Sequence, residues 1–268
     1  MELVERVEMQ HINWLSQLSY KYFVELCITN KTNLKKCDSS FTLLQQFCKT
    51  NKKTLGNTTR IYSYSLNTPC GLGGRLFSGG SLQGLPSTIR GLLMNNVGTD
   101  IDMCNAHPIV LRYVCKMHDI PCPHLEYYIN NRDACLSKFD TREIGKTAYL
   151  KSTNKDKKNW TKKLPVEFKN YDCEMKNIQK KLVTLEKYKE LFDTVPASKI
   201  YNYNGAAINR ILCYYENKIL QHAIHIINQR GIEIAILMFD GLMVYGDYYK
   251  NTNLLEDITN YVEKQMNG

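Results

Sequence analysis

The sequence Ile236-Leu237-Met238-Phe239-Asp240-Gly241-Leu242-Met243-Val244 constrains the fold most strongly. Two apolar stretches, each too short for a helix, flank one acid and one glycine. The pattern reads as two buried strands, residues 232–239 and 242–245, joined by a tight hairpin turn at Asp240-Gly241. Asp-Gly is an ordinary type I′ turn dipeptide, so Asp240 has a structural reading beside any chemical one.

A second acidic strand end lies upstream, in Asp100-Ile101-Asp102-Met103-Cys104-Asn105-Ala106-His107-Pro108. Residues 98–103 read as a short strand and 108–116 as a helix start, with Pro108 where a helix tolerates proline. Asp100 and Asp102, two apart on a strand, point to one face. They are either solvated loop acids or ligands for a divalent cation. Together with Asp240 they give two acidic strand ends. An antiparallel sheet could bring such ends within reach of a metal pair, which phosphoryl-transfer sites hold ~3.5–4 Å apart.

The rest of the chain supports a mixed α+β protein. It has 268 residues, 43% of them hydrophobic, enough for one large domain or two small ones with a buried core. Residues 12–28 place Leu15, Leu18, Tyr22 and Leu26 at helical spacing, and 41–48 form a shorter second helix. Residues 49–59 read as a polar linker, 60–65 as a strand and 71–84 as a glycine-rich loop. Helices are expected over 132–136, 141–150, 174–192 (closed by Pro196) and 206–229 (ended by Gly231). Residues 151–163 hold six lysines without an apolar period and read as an exposed basic loop.

Composition narrows the function classes. Thirty-five basic against 26 acidic residues leave a net charge of +9, compatible with a polyanionic partner or simply with a basic surface. No apolar run approaches the ~20 residues of a membrane helix, so no membrane contact is expected. The start, MELVERVEMQ, is charged where a signal peptide is apolar. Ten cysteines without a Cys-x-x-Cys pair are expected as reduced thiols in an intracellular, reducing compartment.

Further candidates are weaker alone. Arg142 and Lys146 share a helix face, as a solvated pair or as a grip on a triphosphate. Gly73-Gly74-Arg75-Leu76-Phe77-Ser78, Ser81-Leu82-Gln83-Gly84-Leu85-Pro86 and Arg90 combine close-approach glycines with groups that contact phosphates or bases. Cys115, His118, Cys122 and His124 have zinc-ligand types, but the second pair is spaced too tightly for a usual finger. His222 and His225, with Glu216 two turns earlier, read as packing residues, and Cys104 as a packed thiol.

Four strings in order carry a resemblance: GGRLFSGGSLQGLP, DIDMCNAHP, REIGKTAYL and FDG. They resemble the primer–template segment and motifs A, B and C of the family A-like DNA polymerases, especially the transposon–viral branch related to phage single-subunit RNA polymerases. The resemblance covers roughly residues 60–250. It departs at Phe239 and Gly241, where family A usually has His and often Glu, and at His107, which aligns as in family B motif A.

The resemblance implies a right-hand polymerase with an antiparallel palm, helical fingers and a reduced helical thumb-like region. The expected division is 1–59 thumb-like, 60–115 palm, 116–196 fingers and 197–268 palm. It implies DNA-dependent DNA synthesis for a viral or mobile element, from primer–template DNA and dNTPs, with a helicase or other replication subunit as partner. Asp102, Asp240 and the Met103 carbonyl would hold two Mg²⁺, or Mn²⁺. Arg142 and Lys146 would hold the triphosphate, with Lys146 as acid, and His107 would gate the sugar. Arg75, Gln83 and Arg90 would contact nucleic acid. A primase or RNA polymerase of the same fold, or a non-catalytic replication accessory, stays open. No proofreading exonuclease is expected in the ~60 N-terminal residues.

Overall fold

The computed structural model describes residues 1–29, 37–64, 74–156 and 164–267. The protein is α+β, and within those bounds its packing falls into two units. The first draws on Met1–Ser65, Leu76–Asp102 and Ile219–Gly268; the second on Gly74, Arg75 and Met103–Lys218.

The first unit opens on a strand where a helix is expected. β1 (Glu2–Arg6) pairs antiparallel with β2 (Asn57–Ile61), with Arg6 opposite Asn57. The inward side chains of β2 are Thr58 and Arg60, so no apolar alternation reveals it. Arg60 Nε donates to the buried Glu5 carboxylate at 2.9 Å, and Leu82 N donates to its other oxygen at 2.9 Å. The expected helix over 12–28 is two: α1 (Met9–Ser16) and α2 (Tyr20–Thr29), parted where Ser19 starts a new turn and accepts from Phe23 N. The expected linker is also corrected, because α3 (Cys37–Lys53) runs on to Lys53 and β2 starts at Asn57.

A short hairpin, β3 (Ser63–Tyr64) with β4 (Leu76–Phe77), precedes α4 (Ser87–Met94) and β5 (Gly98–Asp102). β6 (Ile234–Leu237) and β7 (Gly241–Tyr245) form the expected apolar hairpin. The sheet order is β5-β7-β6, all antiparallel. Every residue of β6 and the first four of β7 are buried, which explains their unbroken apolar sequence. Ile12, Leu15, Phe47, Leu93, Ile236 and Leu242 belong to one continuous core. Burial on this scale stabilises by roughly 2 kcal/mol per large side chain.

In the second unit the described residues are helical: α5 (Ala106–Met117), α6 (Pro123–Asn130), α7 (Arg132–Leu136), α8 (Arg142–Asn154), α9 (Val166–Leu182) and α10 (Lys189–Asp193). The unit also takes the start of α11 (Tyr203–Gln229), whose residues from Ile219 belong to the first unit. The core here is aromatic: Tyr128 stacks on Tyr149 at 3.8 Å between centroids, with Tyr171 and Phe168 edge-on. The Thr141 hydroxyl caps α8 by accepting from Ile144 N at 3.2 Å.

Two expectations change here. The helix over 174–192 is α9 followed by a separate α10. The exposed loop expected from 151 begins as the last turn of α8, where Ser152 donates to Asp172 at 2.7 Å and Thr153 meets Tyr171 Oη at 2.8 Å, all buried. Residues 157–163 of that loop, and 71–73 of the glycine-rich loop, lie outside the described residues. The chain's last helix, α12 (Thr252–Asn267), turns Leu254 and Ile258 into the core of the first unit.

Candidate active site

The register of β5 on β7 brings the two acidic strand ends together. Asp102 is the last residue of β5 and lies opposite Gly241, the residue after Asp240. The turn closes through Met238 N donating to Gly241 O at 2.8 Å, so Phe239 and Asp240 occupy its two central positions. Neither Asp240 nor Gly241 has positive φ, which overturns the type I′ reading. Gly241 serves close approach instead. A Cβ there would sit 2.5 Å from Ile101 O and 2.9 Å from both Asp102 Cα and Asp102 Oδ1. The glycine lets β7 press against the acid-bearing end of β5.

Asp100 stands on the same face as Asp102. Partial desolvation raises its carboxyl above the ordinary value, and the Asp240 charge adds to this while Arg90 opposes it. Asp100 and Asp240 therefore sense one another across the strands. Arg90, whose Nη1 donates to Leu85 O at 3.1 Å, is pulled down by burial and held up by Asp100. The oxygen-only donor set around Asp102 and Asp240 fits a hard cation such as Mg²⁺. Paired acids at one end of a sheet, facing solvent, can hold cations that neutralise phosphate charge.

A second cluster lies wholly within the second unit. Glu216, on α11, has a fully buried side chain. Arg75 grips it with two parallel bonds, Nε to Oε2 at 3.0 Å and Nη2 to Oε1 at 3.1 Å. His107, in the first turn of α5, places Nε2 3.6 Å from Glu216 Oε2 and 3.3 Å from Arg75 Nη2. Burial works against charge on the ring, but Cys213 and Glu216 beside it outweigh that, and His107 rises from 6.5 to about 9. Burial likewise works against the Glu216 charge, yet His107 and Arg75 hold its carboxyl below the ordinary value.

His107, Cys213 and Glu216 are close enough to ligate a soft metal, alone in this among the described residues. Two cationic side chains already share the one carboxylate there, which opposes a third positive charge.

The remaining expected residues are placed as follows. Arg142 Nη2 pairs with Asp133 at 2.6 Å and Lys146 Nζ with Glu143 at 3.1 Å, all on the surface of the second unit. Gln83 is tied into the first unit: its Nε2 donates to Leu237 O at 2.7 Å and Leu76 O at 3.0 Å, and its Oε1 accepts from Ser78 N at 3.2 Å. It thereby braces the glycine-rich loop against the hairpin that carries Asp240.

The zinc-type residues do not converge. Cys115 and Cys122 are buried thiols beside each other, while His118 bonds Tyr188 Oη at 2.7 Å. His222 and His225 pack on Tyr261, as expected, whereas Cys104, expected as a packed thiol, is exposed. Glu216, read in the sequence as a bystander of those histidines, is the residue that reasoning missed. The available signal was an acid beside the apolar stripe Ile208, Leu212, Tyr215 of a long helix, where it needs a partner.

No family model matches the sequence. The chain is 28% identical over 211 residues to the Sputnik virophage protein named Putative helicase V13, a stretch covering 72% of this chain and 27% of that protein. The match thus spans about a quarter of that relative's length. The structure is similar to the POL domain of Pol1 from M. smegmatis, solved in complex with DNA primer-template and dNTP. The TM-score is 0.63 at 9% identity, covering 96% of this chain and 64% of that one. At that identity the likeness establishes the fold alone: this chain has a polymerase-like α+β fold.

Proposed function

We propose that the protein is a DNA-directed DNA polymerase that transfers nucleotides to a primer end in replication of a viral or mobile element. The observation that carries this reading is the pairing of Asp102 with Gly241, which brings Asp102 beside Asp240 on a polymerase-like fold. The order of the four motif strings adds to it.

Asp102, Asp240 and the Met103 carbonyl would hold two Mg²⁺, with Mn²⁺ as a substitute. When bound, such a pair activates the primer 3′-hydroxyl and neutralises the leaving pyrophosphate. Arg142 takes the γ-phosphate as a planar fork once released from Asp133. Lys146 binds the triphosphate and donates a proton from Nζ to the leaving pyrophosphate. His107 excludes a ribose 2′-hydroxyl. Arg75 and Arg90 contact primer–template, and Gln83 orders the loop beside them. The division into thumb-like region, palm and fingers at 59, 115 and 196 belongs to the same proposal.

The virophage relative carries a helicase name and is longer than the matched stretch. A helicase or other replication subunit accordingly acts with this polymerase. The reading is tested by Asp240→Asn, which removes one charge and keeps the shape. We expect primer extension to fall at least ~100-fold, in the range of a lost transition-state charge contact, with primer–template binding retained. Near-normal extension by this variant would sink the assignment.

A further inference from the structure

Glu216 has no role in the mechanism above, yet it is among the most buried charges of the chain. A lone carboxylate in that position is costly unless cations and hydrogen bonds compensate it. It has two. Arg75 occupies both oxygens in a fork, which fixes the carboxylate plane. His107 then meets a carboxylate that cannot swing away, with Cys213, about one helical turn before Glu216, also close to the ring. The His107 side chain is only 12% exposed. Its orientation is thus set by α11, a 27-residue helix, rather than by the first turn of α5 that carries it.

We propose that Glu216 is the positioning residue for nucleotide selection: its buried carboxylate fixes the His107 ring against the sugar of the incoming nucleotide. Discrimination between deoxyribo- and ribonucleotides is then a property of the pair. This rests on the polymerase reading. A gate that can rotate aside rejects weakly. A gate locked to a buried carboxylate can be moved by a 2′-hydroxyl only by breaking a charge-assisted contact, and that penalty falls on ribonucleotides alone. Arg75 shares the carboxylate, so the residue proposed to contact nucleic acid is held in the same arrangement. The groups facing the ring are Glu216, Arg75 and Cys213.

The test compares wild type, Glu216→Gln, His107→Ala and the double variant in primer extension with dNTPs and rNTPs. The ratio of kcat/KM values is read from pH 6 to 9.5. We expect Glu216→Gln to lower the dNTP preference about tenfold at pH 7.5. The expected effect of Glu216→Gln in the His107→Ala background is nil, because it acts through His107. The His107 ring, followed by NMR, should titrate near 9 in wild type and at least one pH unit lower in Glu216→Gln, a readout that needs no activity.

An unchanged sugar preference in a Glu216→Gln protein that extends primers overturns the proposal. So does an unshifted His107 titration. Failure of wild type to extend with either nucleotide overturns the polymerase reading instead, and this inference with it.

Discussion

Two cationic side chains over one buried carboxylate make His107 a pH-sensitive part of the fold. Its value rises from 6.5 to about 9 in the folded protein, so folding favours the protonated ring. The stability this adds is fully present below pH 6.5 and is lost as pH rises through 9. At 1.36 kcal/mol per unit the contribution is about 3 kcal/mol. Urea unfolding of wild type and His107→Ala at pH 6, 7.5 and 9.5 measures it. The gap between the two proteins should shrink across that range by an amount of this order. A gap independent of pH would mean that the ring titrates in the folded protein as it does in the unfolded chain. Glu5 and Arg60 form a second buried pair, in the first unit, where Glu5 also receives Leu82 N. That pair ties β1 and β2 to the turn preceding α4.

In the proposed function the chemistry depends on the hairpin β6-β7, and at Gly241 this hairpin closely approaches β5. Gly241→Ala would force a methyl group to within 2.5 Å of Ile101 O and 2.9 Å of Asp102 Cα, both backbone atoms that cannot swing aside. We expect a loss of 1–3 kcal/mol, as for overpacking elsewhere, and at least a tenfold fall in extension as Asp102 is pushed from Asp240. Denaturant midpoints and extension rates on the same preparation check both effects. Full activity in Gly241→Ala would show that the strand ends need not be this close.

This hairpin and α11 could be read from the sequence because their buried residues are mostly apolar, whereas β5, with Ile101 alone apolar, is marked by its two acids. β1 and β2 could not be read, because Glu5, Thr58 and Arg60 turn polar groups inward, where Arg60 pairs with Glu5 across the strands and the Thr58 hydroxyl donates to Asn51. The break between α1 and α2 was hidden for another reason: the apolar spacing continues through Gln17–Ser19 although the helix does not. Asp102 and Asp240 were visible as acids at strand ends, but the register that pairs them is a long-range fact. Glu216 needed residues 75 and 107 beside it before its role could be seen.

The net charge of +9 is compatible with the polyanionic partner that the proposed function requires. Primer–template binding should therefore weaken with salt, by about 100-fold between 50 and 200 mM if about four phosphates are neutralised. Fluorescence anisotropy across that range gives the slope, and salt-insensitive binding would contradict an electrostatic interface. In the described residues no helix is long and apolar enough to cross a membrane.

The central claim is that Asp102 and Asp240 together support template-directed synthesis. Its most direct measurement is extension of a labelled primer–template with Mg²⁺, dNTPs against rNTPs, by wild type, Asp102→Ala and Asp240→Ala. Extension with dNTPs by wild type, lost in both variants, is the predicted result. Equal extension by either variant, or none by a folded wild-type protein that binds the primer–template, would contradict it.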